Sequence, residues 1–192
     1  RDVAIATDPQ GSSSVSALHA YAISLSLLDA RPGMRVLDLG SGTGYGSALL
    51  GHLVGPTGRV RALEIDPALT EHASAAHAAL GLGWVQTTVG DALGEVAGPE
   101  VDRIVSGFAL PSRQSAQRLC ARLAPGGRAV LVIQEDAERQ GLFVFEPDRG
   151  PRRVHDVTYV PARGATALPD TPPGAPDPQR ASGETGPQGE TL

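Results

Sequence analysis

The chain has 192 residues, a formal net charge of −5, and 41% hydrophobic against 19% charged residues. Those values suit one globular domain with a real core, and they argue against nucleic acid or an anionic membrane as the main partner. Cys120 is the only cysteine, so no disulfide can close within the chain, and a reducing, cytoplasmic setting is expected.

Residues 1–11 read as extended or irregular. Ser12, Ser13 and Ser14 offer N-caps for a helix to about Asp29, with Val15, Leu18, Ala22, Leu25 and Leu28 at helical spacing. Arg31-Pro32-Gly33 is a turn into a strand at 34–39. A glycine-rich loop and a helix to about Val54 follow. Gly55-Pro56-Thr57-Gly58 turns into a second strand, Arg59–Ile65. Pro67 at the first helical position opens an alanine-rich helix over 68–80, which Gly81 and Gly83 stop. A third strand is expected at Trp84–Val89 and a fourth at Val101–Ser106. A helix follows over about 112–123, where Cys120 reads as a small core residue. The fifth strand is Arg128–Ile133, after the turn Pro125-Gly126-Gly127. Two last strands, 141–146 and 153–160, form an antiparallel edge. Strands alternating with helices predict an α/β fold, a doubly wound, mostly parallel seven-stranded sheet covered on both faces. Residues 165–192 hold six prolines, four glycines and no aromatic residue. They cannot bury enough surface to offset their ordering entropy. The expected division is a folded domain over 1–163 and a disordered tail over 164–192.

The informative stretch is Val36-Leu37-Asp38-Leu39-Gly40-Ser41-Gly42-Thr43-Gly44-Tyr45-Gly46. A buried strand, a tight glycine turn and a helix N-terminus make a nucleotide-cofactor site. A dinucleotide fingerprint needs Gly-x-Gly-x-x-Gly. Counted from Gly40 its last position is Tyr45, and from Gly42 it is Ser47. Asp38 would also repel a pyrophosphate. No Gly-Lys-Ser/Thr follows, because the chain has no lysine, so a phosphate loop is excluded. A nucleoside with a positive charge and no phosphate remains, and S-adenosylmethionine (SAM) fits that description. Glu64, one strand-helix-strand step on, can accept both ribose hydroxyls. Asp91, after Val89-Gly90, is placed to accept the adenine amino group. Both lie at carboxyl ends of predicted parallel strands, where ligands bind in such sheets. Metal binding is not expected, since His72 and His77 are five apart and do not share a helical face.

Asp-x-Gly-x-Gly-x-Gly after an apolar strand resembles the first motif of the Rossmann-like class I SAM-dependent methyltransferases. Ser14-Val15-Ser16-Ala17-Leu18-His19 resembles the Thr-Ile-Ser-x-Pro-His signature of the protein-L-isoaspartate O-methyltransferases, with Leu18 at the proline position and Ser14 at the threonine. Further pieces match in order. They are Arg31–Asp38, Leu53-Val54-Gly55, Gly58-Arg59-Val60, Gly90-Asp91-Ala92 (with Ala92 in place of a glycine), Val101–Ile104, Leu123–Arg128 and Val157-Thr158-Tyr159-Val160-Pro161. The similarity covers about 2–163, and the helical region that normally precedes the serine signature is absent.

The resemblance implies a carboxyl O-methyltransferase that esterifies an L-isoaspartyl residue, giving a methyl ester that collapses to succinimide. It assigns Ser16 to positioning the acceptor carboxylate and His19 to the same pocket. The cofactor site would comprise Asp38, Gly40, Ser41, Gly42, Thr43, Gly44, Tyr45, Glu64, Ile65, Asp91 and Ala92. The expected partner is a protein or peptide with an isoaspartyl or aspartyl carboxylate, bound by a monomer. Two alternatives stand beside this reading: esterification of a normal Asp in a modified peptide to form aspartimide, and a catalytically silent interaction module on the same fold.

Overall fold

A computed structural model of the protein describes residues 5–6, 14–15, 18–94 and 98–164. The expected tail from 165 onward, and Ser16 with it, lie outside the described residues. In chain order the elements are β1 (Ile5–Ala6), β2 (Ser14–Val15), α1 (Leu18–Leu28), β3 (Arg35–Leu39), α2 (Tyr45–Val54), β4 (Arg59–Glu64) and α3 (Pro67–Ala79). Then come β5 (Val85–Val89), β6 (Val101–Leu110), α4 (Arg113–Cys120), β7 (Leu123–Gln134), β8 (Gln140–Glu146) and β9 (Gly150–Val157).

The main sheet runs β5-β4-β3-β6-β7-β8-β9. Strands β3 to β7 are mutually parallel, and β8 and β9 pair antiparallel at one end. The doubly wound, seven-stranded architecture is therefore as expected. Successive residues of a strand face opposite sides, and both sides are apolar. Val36, Val60, Val105, Val130 and Val132 join Leu28 of α1 and Leu50 and Val54 of α2 in one core. Leu37, Leu39, Ile104, Leu131 and Ile133 join Ala116 and Leu119 of α4 in the other. Asp38 lies between Leu37 and Leu39 and therefore points to the α1–α2 side.

Three expectations are corrected. The first helix begins at Leu18 rather than in the serine run, because Ser14 and Val15 pair antiparallel with Ala6 and Ile5. Their backbone groups are thus satisfied by a strand partner. The fourth strand does not end at Ser106 but continues to Leu110 through a bulge: β6 pairs Val105 with Val130, then Ala109 with Val132. The Ser106 hydroxyl accepts from the Val132 N–H at 3.0 Å and closes the gap. The fourth helix ends at Cys120, and the Pro125-Gly126-Gly127 turn is a second irregularity within β7.

The C-terminal end of α1 is tied to the sheet by two arginines. Arg128 donates to the Leu27 carbonyl at 3.0 Å, and Arg103 donates to the Asp29 carbonyl at 3.2 Å. Carbonyls at a helix C-terminus lack intrahelical partners, so these bonds fix α1 over β6 and β7, beside the ends of the parallel strands.

Candidate active site

The glycine loop starts where β3 ends. Gly40 and Ser41 N–H groups both donate to the Leu63 carbonyl of β4, and Gly44 N–H donates back to the Ser41 carbonyl at 2.9 Å. Gly44 is the N-cap of α2 in the left-handed region, φ 82°, and no side chain among the described residues caps that helix. A Cβ there would also collide with Ala73 and His77. Gly42 is different: a Cβ on it would meet nothing within 4 Å, so its backbone borders open space.

That space is a pair of clefts sharing the walls Gly40, Gly42, Thr43 and Gly107. The first encloses about 640 Å³ including its open mouth and is lined by Glu64, Ile65, Leu69, Gly90, Ala92 and Phe108. The second, about 580 Å³, is lined by Asp38, Ser41, Tyr21, Ser24, Ser106 and Tyr159. The β6 bulge carries Gly107 and Phe108 into this position, and the Phe108 ring packs over Gly40. The far wall is the segment after β9. Ala109 N–H donates to the Val160 carbonyl at 2.8 Å, and Ala162 N–H donates to the Ala109 carbonyl at 3.0 Å. These bonds lay Val160, Pro161 and Arg163 along the first cleft and Tyr159 along the second.

Two buried carboxylates flank the loop. Glu64 accepts the Gly42 N–H at 2.8 Å on Oε2 and the Asp66 N–H at 3.0 Å on Oε1. A carboxylate offers about four lone-pair sites, so each oxygen keeps capacity for a further donor. Asp38, 5% exposed, accepts from the Ser47 hydroxyl at 2.6 Å on Oδ2. Burial pushes its pKa up to about 6; the Ser47 hydrogen bond opposes the rise and the Glu64 charge adds to it. Among the described residues one hydroxyl compensates the charge of this dehydrated carboxylate, and a ligand cation beside it would restore the balance. The Ser41 hydroxyl is buried and has no hydrogen-bond partner among the described residues, in the wall of the same cleft. An open backbone at Gly42, two acids and an orphaned hydroxyl fit a polar, cationic nucleoside.

Of the expected cofactor residues, Asp38, Gly40, Ser41, Gly42, Thr43, Glu64, Ile65 and Ala92 line the clefts. Asp91 sits at the rim, its Oδ1 accepting the Leu93 N–H at 2.9 Å, with Gly164 packed against its carboxylate. Gly44 packs under α3 rather than in a wall, and Tyr45 is an exposed residue stacked edge-on against Tyr21 at 5.3 Å. His19 is exposed on the first turn of α1, whereas Tyr21 and Ser24 of the same helix reach the second cleft. Sequence reasoning missed Tyr21, Ser24, Phe108 and Arg163. Tyr159, Val160 and Pro161 belonged to the motif that carried the resemblance but were not assigned to the site.

The family profile described as protein-L-isoaspartate(D-aspartate) O-methyltransferase matches residues 3–167. A relative named protein-L-isoaspartate O-methyltransferase 2, from Archaeoglobus fulgidus, is 35% identical over 155 residues, covering 78% of this chain and 69% of its own length. A protein-L-isoaspartate O-methyltransferase from Aeropyrum pernix is 41% identical over 148 residues, covering 73% of this chain and 55% of its own. A solved protein-L-isoaspartate O-methyltransferase superposes with a TM-score of 0.77 at 24% identity, covering 86% of this chain and 54% of that one. The last supports the fold, and the chain is shorter than all three. The profile and the Archaeoglobus relative show that this chain belongs to the protein-L-isoaspartate O-methyltransferase family, whose enzymes are SAM-dependent methyltransferases.

Proposed function

We propose that the chain is a SAM-dependent carboxyl O-methyltransferase that esterifies L-isoaspartyl residues in proteins or peptides. The observation that carries this reading is the pair of buried carboxylates, Asp38 and Glu64, on either side of an open glycine loop in a chain of this family. When bound, the cofactor supplies an electrophilic methyl group on a sulfonium. The chain's own residues bind, orient and desolvate. Asp38 balances the ammonium charge, and Ser41 donates or accepts beside it. The free lone pairs of Glu64 take the ribose hydroxyls, Ile65, Ala92 and Phe108 wall the adenine, and Asp91 at the rim accepts its amino group.

The acceptor needs no general base. The free carboxyl of an isoaspartyl residue is its α-carboxyl, with a reference pKa of about 3.5, and it is already ionised at neutral pH. Ser16, by family analogy, donates a hydrogen bond that aims the carboxylate oxygen, and the N-terminal end of α1 supports the acceptor peptide. Alignment is then the main catalytic contribution. The carboxylate and sulfonium charges cancel as the methyl moves, so an apolar, water-poor cleft favours transfer. The methyl ester that forms loses methanol when the following backbone nitrogen attacks it, giving succinimide. We assign this activity to residues 1–163, acting as a monomer in the cytoplasm, with 164–192 as an accessory tail.

The test is incubation with SAM and paired peptides that differ only in an isoaspartyl or aspartyl linkage, followed by mass spectrometry. Methyl ester and succinimide on the isoaspartyl peptide alone are expected. Methylation confined to the aspartyl peptide overturns the substrate in favour of peptide tailoring. No transfer and no SAM binding would leave the fold as a binding module.

A further inference from the structure

The acids and glycines leave one buried titratable group of the loop unaccounted for. His77, on α3 and 2% exposed, has Nε2 2.9 Å from the Gly44 carbonyl oxygen and Nδ1 3.2 Å from the Thr87 hydroxyl. A carbonyl only accepts, so Nε2 carries a proton and donates it. The Thr87 hydroxyl, which can donate or accept, pairs with Nδ1 and fixes the orientation of the ring. Gly44 is the left-handed N-cap of α2, and its carbonyl also accepts the first helical N–H, from Ala48, at 2.9 Å. The imidazole therefore fixes the peptide plane at which the loop becomes helix. Glu64 holds the other side of the turn through the Gly42 N–H. The loop is thus clamped by a carboxylate from β4 and an imidazole from α3, both supplied by the stretch 64–77.

We propose that His77 is a positioning residue for cofactor binding: its Nε2–H presets the Gly40–Gly44 loop in the shape that receives SAM, and Thr87 holds its ring in orientation. This rests on the SAM reading above. A loop already held in its bound shape loses less conformational entropy on binding. Removing the buried donor also leaves the Gly44 carbonyl with one bond fewer, which frees the loop to relax.

The test is calorimetric titration of the full chain with S-adenosylhomocysteine, the demethylated product, alongside thermal melting of the free protein. His77→Leu keeps apolar bulk and removes the donor, and we expect affinity to fall by about tenfold or more. His77→Gln returns an amide N–H near the Nε2 position, and affinity within about threefold of the parent is expected. Thr87→Val, a change well suited to a strand, removes only the hydroxyl that orients the ring and should weaken binding measurably. The double variant His77→Leu/Thr87→Val should bind no worse than His77→Leu alone, since the two act through one ring. A His77→Leu protein that binds like the parent, or a His77→Gln protein as weak as His77→Leu, overturns the proposal. If His77→Leu does not fold, Thr87→Val decides, and unchanged affinity there refutes it. Failure of the parent chain to bind S-adenosylhomocysteine is a different result, and it refutes the SAM reading itself.

Discussion

Replacing Asp38 by Asn should stabilise the free protein while destroying its ability to bind SAM. The Asp38 carboxyl is buried between β3 and α2, with its pKa raised from 3.8 to about 6. An acid with a raised folded pKa binds its proton more tightly folded than unfolded. Its cost to stability is therefore absent below pH 3.8, grows between about pH 4 and 6, and is full above pH 6. Roughly two pKa units at 1.36 kcal/mol each set an upper bound of about 3 kcal/mol. Asn removes that charge and still offers an oxygen to the Ser47 hydroxyl, but its amide protons need an acceptor, so a net gain of about 1–3 kcal/mol is expected at pH 8. For a domain of this size that corresponds to several degrees of melting temperature. The gain should shrink to nothing or reverse near pH 4, where the native carboxyl is protonated anyway. In the parent protein, SAM binding near pH 6 should release about half a proton, as the ligand cation draws Asp38 back to its ionised form, and almost none at pH 8. Thermal melts at both pH values and calorimetry in buffers of different ionisation enthalpy measure this. A variant no more stable at pH 8, or one that still binds SAM like the parent, refutes the reasoning.

Ser47→Ala removes the hydrogen bond that opposes the rise in the Asp38 pKa, so the pH below which SAM affinity falls away should move upward in a titration of affinity against pH. Gly44→Ala forces a left-handed alanine against Ala73 and His77 and should cost about 2–4 kcal/mol in denaturant unfolding. Asp102 has the opposite sign to Asp38. Arg35 donates to both of its oxygens and holds its pKa below the usual carboxylate range. Asp102→Asn should therefore destabilise the protein near neutrality, by no more than about 1 kcal/mol for so exposed a pair. Its effect should vanish as pH falls through the lowered folded pKa. Cys120 is half-buried, and burial pushes its thiol up to about 12, so Cys120→Ser should leave methyl transfer unchanged in the peptide assay.

The glycine loop and the two acids beside it were legible because their information is local. Asp38 ends a strand, the glycines alternate through the turn, and Glu64 closes the next strand, so a single strand-turn-helix pattern places them. What escaped notice depends on partners distant in the chain. The β6 bulge that delivers Phe108 exists only because β7 pairs in a shifted register. Val160, Pro161 and Arg163 reach the cleft because Ala109 holds the segment after β9 by two backbone bonds. His77 and Gly44 are 33 residues apart, and no periodicity marks their contact. The start of α1 was misjudged because Val15 satisfies a helical period equally well, while its backbone pairs with Ile5.

A crystal structure of the chain with S-adenosylhomocysteine and an isoaspartyl peptide tests the central claim most directly. The account predicts the ligand's ammonium beside Asp38, its ribose hydroxyls on Glu64, its adenine between Ile65 and Phe108, and the peptide carboxylate at Ser16 facing the sulfur. A ligand bound elsewhere, or Asp38 and Glu64 turned away from it with the peptide remote from Ser16, would contradict it.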